Sequence, residues 1–278
     1  MNRIDSLKDL NALVNEIRLL RKGYISNLFI NPLKNSLWIK KRELFYISFT
    51  EGFFVIRKSQ LVNCLFYITT DTEHLRRGLA DYYHLLNFTI MVDLVGDAKI
   101  VSIKQIFLDS GFRQYEFIYR MSRGGIPNLS SFDSGVSYAE LNDTNIIRQL
   151  LLSNFNPLSE QIPEVEEIVQ FIKNKRILVY KQGNEICGFI IFELTGLTLY
   201  LRYWFVCSQY RDFHIGSKLF NAFMYEGRNT KRQLFWVIAD NENAIKRYKH
   251  YGFEAENMFD YVLMKSDMNT FIECKPSI

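Results

Sequence analysis

Two short stretches of the chain hold side chains and backbone with chemistry to do. The first is Trp204-Phe-Val-Cys-Ser-Gln-Tyr-Arg-Asp-Phe-His-Ile-Gly-Ser-Lys-Leu219, an apolar run followed by a charged turn and a helical pattern from about Ile215. Backbone N–H groups at a helix start lack intrahelical acceptors and sit at the positive end of the dipole, so such a turn can hold a phosphate. Arg211 adds a cation at its mouth, and Gly216 lets an anion come close to the backbone. The second stretch is Asn241-Glu-Asn-Ala-Ile-Lys-Arg-Tyr-Lys-His-Tyr-Gly-Phe253. Taken singly, Asn241 or Asp240 reads as a helix cap and Tyr248 as a packed aromatic.

The elements that must position these residues follow from periodicity and punctuation. In the second half, Val136–Glu140, Arg176–Lys181, Ile186–Glu193 and Leu197–Cys207 read as strands, the last central because it is apolar on both faces. Helices are expected at 142–153, at 163–174 behind Pro163, and at 215–227 and 241–251, with strands at 233–239 and about 261–265. The phosphate turn then lies outside the carboxyl end of a central strand, where open α/β sheets bind ligands. The first half reads similarly. It has a helix over 4–22 capped by Asp5 or Ser6, and strands near 37–39, 44–49, 53–57 and 61–69. A helix at 72–86, a strand at 88–95, a helix at 101–110 and a strand at 112–121 follow.

Gly-Phe pairs at 111–112 and 252–253, each between a helix and an aromatic-rich strand, repeat at an offset of 141 residues. That spacing points to duplication of a domain-sized unit. The Gly-, Pro-, Asn- and Ser-rich segment 124–135 marks a boundary near residue 130, dividing the chain into residues 1–130 and 131–278.

In this order and at this spacing the two stretches resemble the GNAT acyltransferase superfamily. Its phosphate loop reads Gln/Arg-x-x-Gly-x-Gly/Ala, which Arg211 and Gly216 fit, while His214 stands where glycine is usual. Its later segment reads Asn-x-x-Ala-x-x-x-Tyr-x-x-x-Gly-Phe, matched by Asn241, Ala244, Tyr248, Gly252 and Phe253. The resemblance implies an α/β (mixed α+β) fold of two GNAT-like domains, each a central mixed sheet flanked by helices. It implies that acetyl-CoA or another acyl-CoA is the donor. Its pyrophosphate would lie on the amides of Arg211, Asp212, Phe213, His214, Ile215, Gly216 and Ser217. A backbone N–H of Phe205 or Val206 would hold the thioester carbonyl as an oxyanion donor. Asn241 would contact the pantetheine arm or a bridging water, and Tyr248 would protonate the leaving thiolate. A phenol suits that role, since its reference pKa of about 10 keeps it protonated at neutral pH. Glu193 is the nearest carboxylate that could act as base, and a solvent-facing strand acid is an equal reading of it.

At the same offset Tyr248 falls on Phe107 and Asn241 on Ile100, and no Arg-x-x-x-x-Gly loop stands near residues 69–75. Residues 1–130 therefore read as a degenerate copy and 131–278 as the acyltransferase domain. Composition sets the outer limits. Hydrophobic residues at 48% and charged residues at 23% exclude disorder as the main state. Cysteines at 64, 187, 207 and 274 have no metal-ligand spacing and suit a reducing, cytoplasmic setting. No apolar run reaches a membrane-spanning length, and no signal peptide is indicated. Residues 1–130 hold 18 Lys/Arg against 12 Asp/Glu, an excess too dilute for a nucleic-acid partner. The expected partner is a small-molecule or peptide amine. A non-catalytic CoA-binding or partner-binding protein of the same fold is the alternative.

Overall fold

Side chains of Ser6, Asn31, Asp71 and Asn241 cap four helix starts in the computed structural model, which describes residues 1–85, 88–127 and 135–266. Its first series of elements is β1 (Asn2–Arg3), α1 (Leu7–Leu19), β2 (Ile25–Ser26), α2 (Pro32–Lys40), β3 (Leu44–Phe49), β4 (Gly52–Arg57), β5 (Cys64–Thr69), α3 (Thr72–Asp81), β6 (Ile90–Gly96), α4 (Ile100–Asp109) and β7 (Arg113–Gly124). Its second series is β8 (Val136–Tyr138), α5 (Thr144–Asn154), α6 (Val165–Lys173), β9 (Ile177–Gln182), β10 (Glu185–Thr195), β11 (Thr198–Val206), α7 (Ile215–Glu226), β12 (Arg232–Ile238), α8 (Glu242–His250) and β13 (Glu254–Lys265). Apart from the short β2, the second series repeats the first.

The repeat extends to single hydrogen bonds. Gly111 and Gly252 take φ of +82° and +81°, the left-handed conformation that closes a helix at little cost to glycine. Phe112 N–H then donates to Phe107 O and Phe253 N–H to Tyr248 O, both at 3.1 Å. Both phenylalanines are buried.

Ser6 caps α1 by accepting from Asp9 N–H, and Asn241 caps α8 by accepting from Ala244 N–H. Two expectations fail. The run at 37–39 is helical, inside α2: Asn31 caps it and Pro32 opens it, and Asn35 and Trp38 are buried one turn apart. The last strand begins at Glu254 instead of near Tyr261. Its polar opening is held because Glu256 pairs with Arg120 and Arg232.

The chain forms two compact units that interleave in sequence. Unit 1 holds residues 1–118, 156–161 and the described residues from Met258 on. Its sheet order is β1-β3-β4-β5-β6-β13-β7, with β6 and β13 antiparallel from Phe259↔Gly96 to Lys265↔Ile90. One face is covered by an apolar cluster around Leu75, Leu79, Ile106 and Phe107, the other by one around Leu10, Ile17 and Trp38. Unit 2 holds residues 119–155 and 162–257, with order β13-β7-β12-β11-β10-β9-β8. Leu219, Phe220 and Phe223 of α7 fill one face, and Ile147, Leu151, Ile168 and Ile172 of α5 and α6 the other. The expected boundary at residue 130 falls within 128–134, outside the described residues.

Candidate functional site

The site is built where two parallel strands of unit 2 part. β11 and β12 pair only at Thr198↔Arg232, Leu199↔Gln233 and Tyr200↔Leu234. From Leu201 onward β11 keeps β10 on one edge, through Phe189↔Phe205 and Gly188↔Val206, and has no described strand on the other. Cys207 N–H donates to Cys187 O at 2.9 Å, so the amides of Cys207 and Phe205 point toward β10. Strand amides alternate, and the N–H of Val206 and of Trp204 therefore face the open edge. Of Phe205 and Val206, Val206 is the one whose amide faces the open edge.

A 3-10 turn over Ser208–Phe213 leads from β11 into α7. Arg211 is exposed within it, and Phe213 is 60% exposed and meets Tyr210 edge-on at 6.3 Å. Asp212 belongs to the turn by its backbone; its side chain lies outside the described atoms. His214 is the helix N-cap residue at φ +56°, ψ +15°, and no side chain caps the helix. Lys218 N–H makes the first bond of the helix, to His214 O. The amides of Ile215, Gly216 and Ser217 precede it and have no intrahelical acceptor. Twelve residues of aligned dipoles stand behind these amides.

Trp204 packs beneath this turn. A Cβ on Gly216 would lie 3.4 Å from its indole, and its ring stacks on Phe220 at 4.9 Å. The indole Nε1 is buried without a hydrogen-bond partner among the described residues. Tyr248 joins the same aromatic group from α8, 3.9 Å from Phe235 and 5.8 Å from Trp204 between ring centroids, and is half-buried. Arg247 lies over the Trp204 ring at 5.5 Å and brings a second cation to this side. The reading of the sequence missed Arg247, because thirty-odd residues between two arginines leave no local pattern. Tyr251 OH reaches Ser217 Oγ at 3.4 Å. Asn241 spends its carbonyl on the Ala244 cap.

Glu193 is not brought to the site. It faces Tyr200 in the β10–β11 register and accepts from Arg202 Nη1 at 3.0 Å. It stands five positions along β10 from Gly188, about 17 Å on an extended strand. Cys207 lies at the site, but burial pushes its thiol up and keeps it protonated.

The corresponding place in unit 1 is differently furnished. β5 and β6 also part, pairing only at Cys64↔Met91, yet β2 lies on β5 through Ile25↔Thr69 and Ser26↔Ile68. Because β4 holds the other edge of β5, β2 occupies the edge toward β6. Asn27 stitches the gap. Its Oδ1 accepts from Tyr67 N–H at 2.7 Å, and its Nδ2 donates to Leu65 O and Asp93 O. The start of α3 is capped by Asp71, which accepts from His74 N–H, a bond that holds this carboxyl below its ordinary range. Phe107, in the place of Tyr248, is fully buried and has no proton to give.

Unit 2 thus offers an elongated ligand with amides and an anionic group two matching features: an open strand edge and an uncapped helix start flanked by Arg211.

Residues 145–253 match the model of the acetyltransferase (GNAT) family. Among solved structures, the fold is similar to the tandem GNAT protein from the clavulanic acid biosynthesis pathway, with TM-score 0.59 and 9% identity over 97% of this chain and 98% of that one. It is also similar to an acetyltransferase from the GNAT family of Colwellia psychrerythraea, at TM-score 0.54 and 14% identity over 95% and 98% of the two chains. A GCN5-related N-acetyltransferase from Sphaerobacter thermophilus gives TM-score 0.54 and 14% identity over 77% and 76%. At these identities the likeness is one of fold. No curated protein matches the sequence.

Proposed function

We propose that the protein moves an acyl group, in the first place acetyl, from acyl-CoA to an amine by direct attack, a reading supported by the match of residues 145–253 to the acetyltransferase (GNAT) family model. The observation that carries this reading is the open edge of β11 running into the uncapped start of α7. In it, residues 131–278 are the acyltransferase domain and 1–130 a degenerate copy. The strand β2, Asp71 and Phe107 support that division.

The amides from Arg211 through Asp212, Phe213, His214, Ile215 and Gly216 to Ser217 hold the pyrophosphate, with the Arg211 guanidinium as counter-charge. Val206 N–H receives the thioester carbonyl oxygen, because the Phe205 amide is turned toward β10. Asn241 can still donate from its amide nitrogen to the pantetheine arm. A bound thioester supplies a carbonyl carbon to which the amine nitrogen bonds as the C–S bond breaks. Tyr248 gives its hydroxyl proton to the departing thiolate. The attacking amine sheds its own proton to solvent, since Glu193 is held elsewhere by Arg202. The protonated Cys207 thiol is a poor nucleophile, which favours direct transfer over an acyl-enzyme. Three free thiols among the described residues, at Cys64, Cys187 and Cys207, agree with a cytoplasmic setting.

The absence of a base among the residues gathered at the described site favours a second reading, in which CoA is bound but not turned over. One experiment separates them. Acetyl-CoA binding is measured by calorimetry and thiol release is followed over an amine panel. Loss of a general acid costs about 10²-fold or more, so Tyr248→Phe should lose turnover on that scale while keeping its acetyl-CoA affinity. Equal turnover removes Tyr248 from the role. Binding without turnover over the whole panel selects the second reading.

A further inference from the structure

We infer that the end of α1 and the outward side of α2, in unit 1, form a docking surface for an anionic lipid membrane. The inference is independent of acyl transfer. From Ile17 to Arg42 the sequence holds seven Lys/Arg and no Asp/Glu. Averaged over residues 1–130 the excess of cations is dilute, but here it is concentrated. The three most exposed large apolar side chains among the described residues lie in the same segment: Phe29 at 83%, Leu19 at 76% and Leu33 at 74%. Leu20 and Tyr24, between them in sequence, are exposed too.

One layer carries all of these residues. α1 packs on α2, and both rest on the same face of the sheet, through Leu10, Leu13 and Ile17 of α1 and Trp38 of α2. On α2 the buried positions are Asn35 and Trp38, while Leu33, Ser36 and Lys40 are exposed. Leu28 and Ile30 pack on the same apolar cluster on either side of Phe29, whose ring is left in solvent. The cations differ in freedom. Arg18 lies over the Tyr24 ring at 5.3 Å, and Lys22 pairs with Glu51. Arg21, Lys40 and Arg42 are exposed and have no side-chain partner among the described residues.

Exposed apolar groups and unpaired cations on one layer match the two parts of an anionic bilayer surface. Headgroup phosphates attract Lys and Arg, while Phe and Leu enter the acyl boundary, and the two signals add. An acidic protein or a nucleic acid would engage the cations but leave Phe29, Leu19 and Leu33 without a partner. No described helix is long and apolar enough to cross a membrane, so the contact is with the surface.

The test is cosedimentation of the full chain with vesicles of phosphatidylcholine alone and of phosphatidylcholine mixed with phosphatidylglycerol. Heparin serves as a polyanion without an acyl layer. Wild type should bind the mixed vesicles at least about tenfold more tightly than the neutral ones. Arg21→Asn/Lys40→Gln/Arg42→Asn removes three cations, and asparagine suits the left-handed backbone at 21 and 42. Each Lys or Arg near such a surface contributes about fivefold, so binding of this variant should fall about a hundredfold. Phe29→Ser/Leu33→Ser should weaken vesicle binding about tenfold or more, with heparin binding unchanged. No binding to mixed vesicles overturns the inference. So does equal vesicle binding by wild type and the serine variant, which would assign the surface to a polyanionic partner instead. Should the serine variant fail to fold, Phe29→Trp gives the same reading. Its emission should shift to the blue with mixed vesicles and stay in place with heparin, and no shift with vesicles overturns the inference.

Discussion

His214 holds φ +56°, where a Cβ crowds the next carbonyl at about 1–2 kcal/mol for most residues. Histidine is among the residues that tolerate this region better than most. The position accounts for the family's preference for glycine there: the turn needs a left-handed residue to aim the amides of 215–217 outward. Glycine would relieve the strain but lose about 0.4–1 kcal/mol through unfolded-chain entropy. His214→Gly should therefore gain about 0.5–1 kcal/mol in urea unfolding, with acetyl-CoA affinity no weaker. A loss of stability would mean that the imidazole makes a contact worth more than the strain. At Gly216 an added Cβ would meet the Trp204 indole at 3.4 Å, an ordinary van der Waals contact, so that ring does not demand glycine.

At the scale of elements, the site depends on β11 being gripped on one edge and free on the other. Gly188 is the residue that lets β10 approach closely enough. A Cβ there would lie 2.8 Å from the Phe205 carbonyl oxygen, a backbone atom that cannot rotate away. Gly188→Ala should cost about 1–3 kcal/mol as an overpacked contact and should weaken acetyl-CoA binding by displacing the amide of Val206. Unchanged affinity in calorimetry would show that β11 can shift without moving its free edge. In unit 1 the same parting of strands is closed by β2 and Asn27, so an element of two residues distinguishes the two sheets.

Over the whole molecule, two outcomes follow from unequal copies. Acetyl-CoA should bind with a stoichiometry of one per chain, because in unit 1 the strand edge is filled and the helix start holds a carboxylate. A stoichiometry of two in calorimetry would refute this. The second outcome concerns pH. Burial raises the Glu160 carboxyl of unit 1 to about 7, against the bond it accepts from Asn156 N–H. A raised carboxyl favours folding in its protonated form: the contribution is full below about 4.5 and is lost as pH rises through about 7. Up to about 3 kcal/mol is at stake. The urea midpoint should fall as pH rises from about 4.5 to about 7 and level off above, and Glu160→Gln should flatten that fall.

The sequence alone determined what depends on local chemistry. The capped helix starts near Ser6 and Asn241 and the paired Gly-Phe steps were legible because each rests on neighbours within a few residues; the structure chose Ser6 over Asp5 and Asn241 over Asp240. Gly216 and Tyr248, singled out by their spacing, both lie against the Trp204 indole. Tertiary structure decided what depends on partners far along the chain. It turned Leu37–Ile39 into part of a helix, and extended β13 back to Glu254 through Arg120 and Arg232. It paired Glu193 with Arg202 away from the site, and brought Arg247 over the Trp204 ring, a place no spacing announces. It also laid β2 on the open edge of β5, so one cleft is closed and one open. Backbone hydrogen bonds between distant strands obey register, and register is set by which surfaces are buried together, not by any local run of residues.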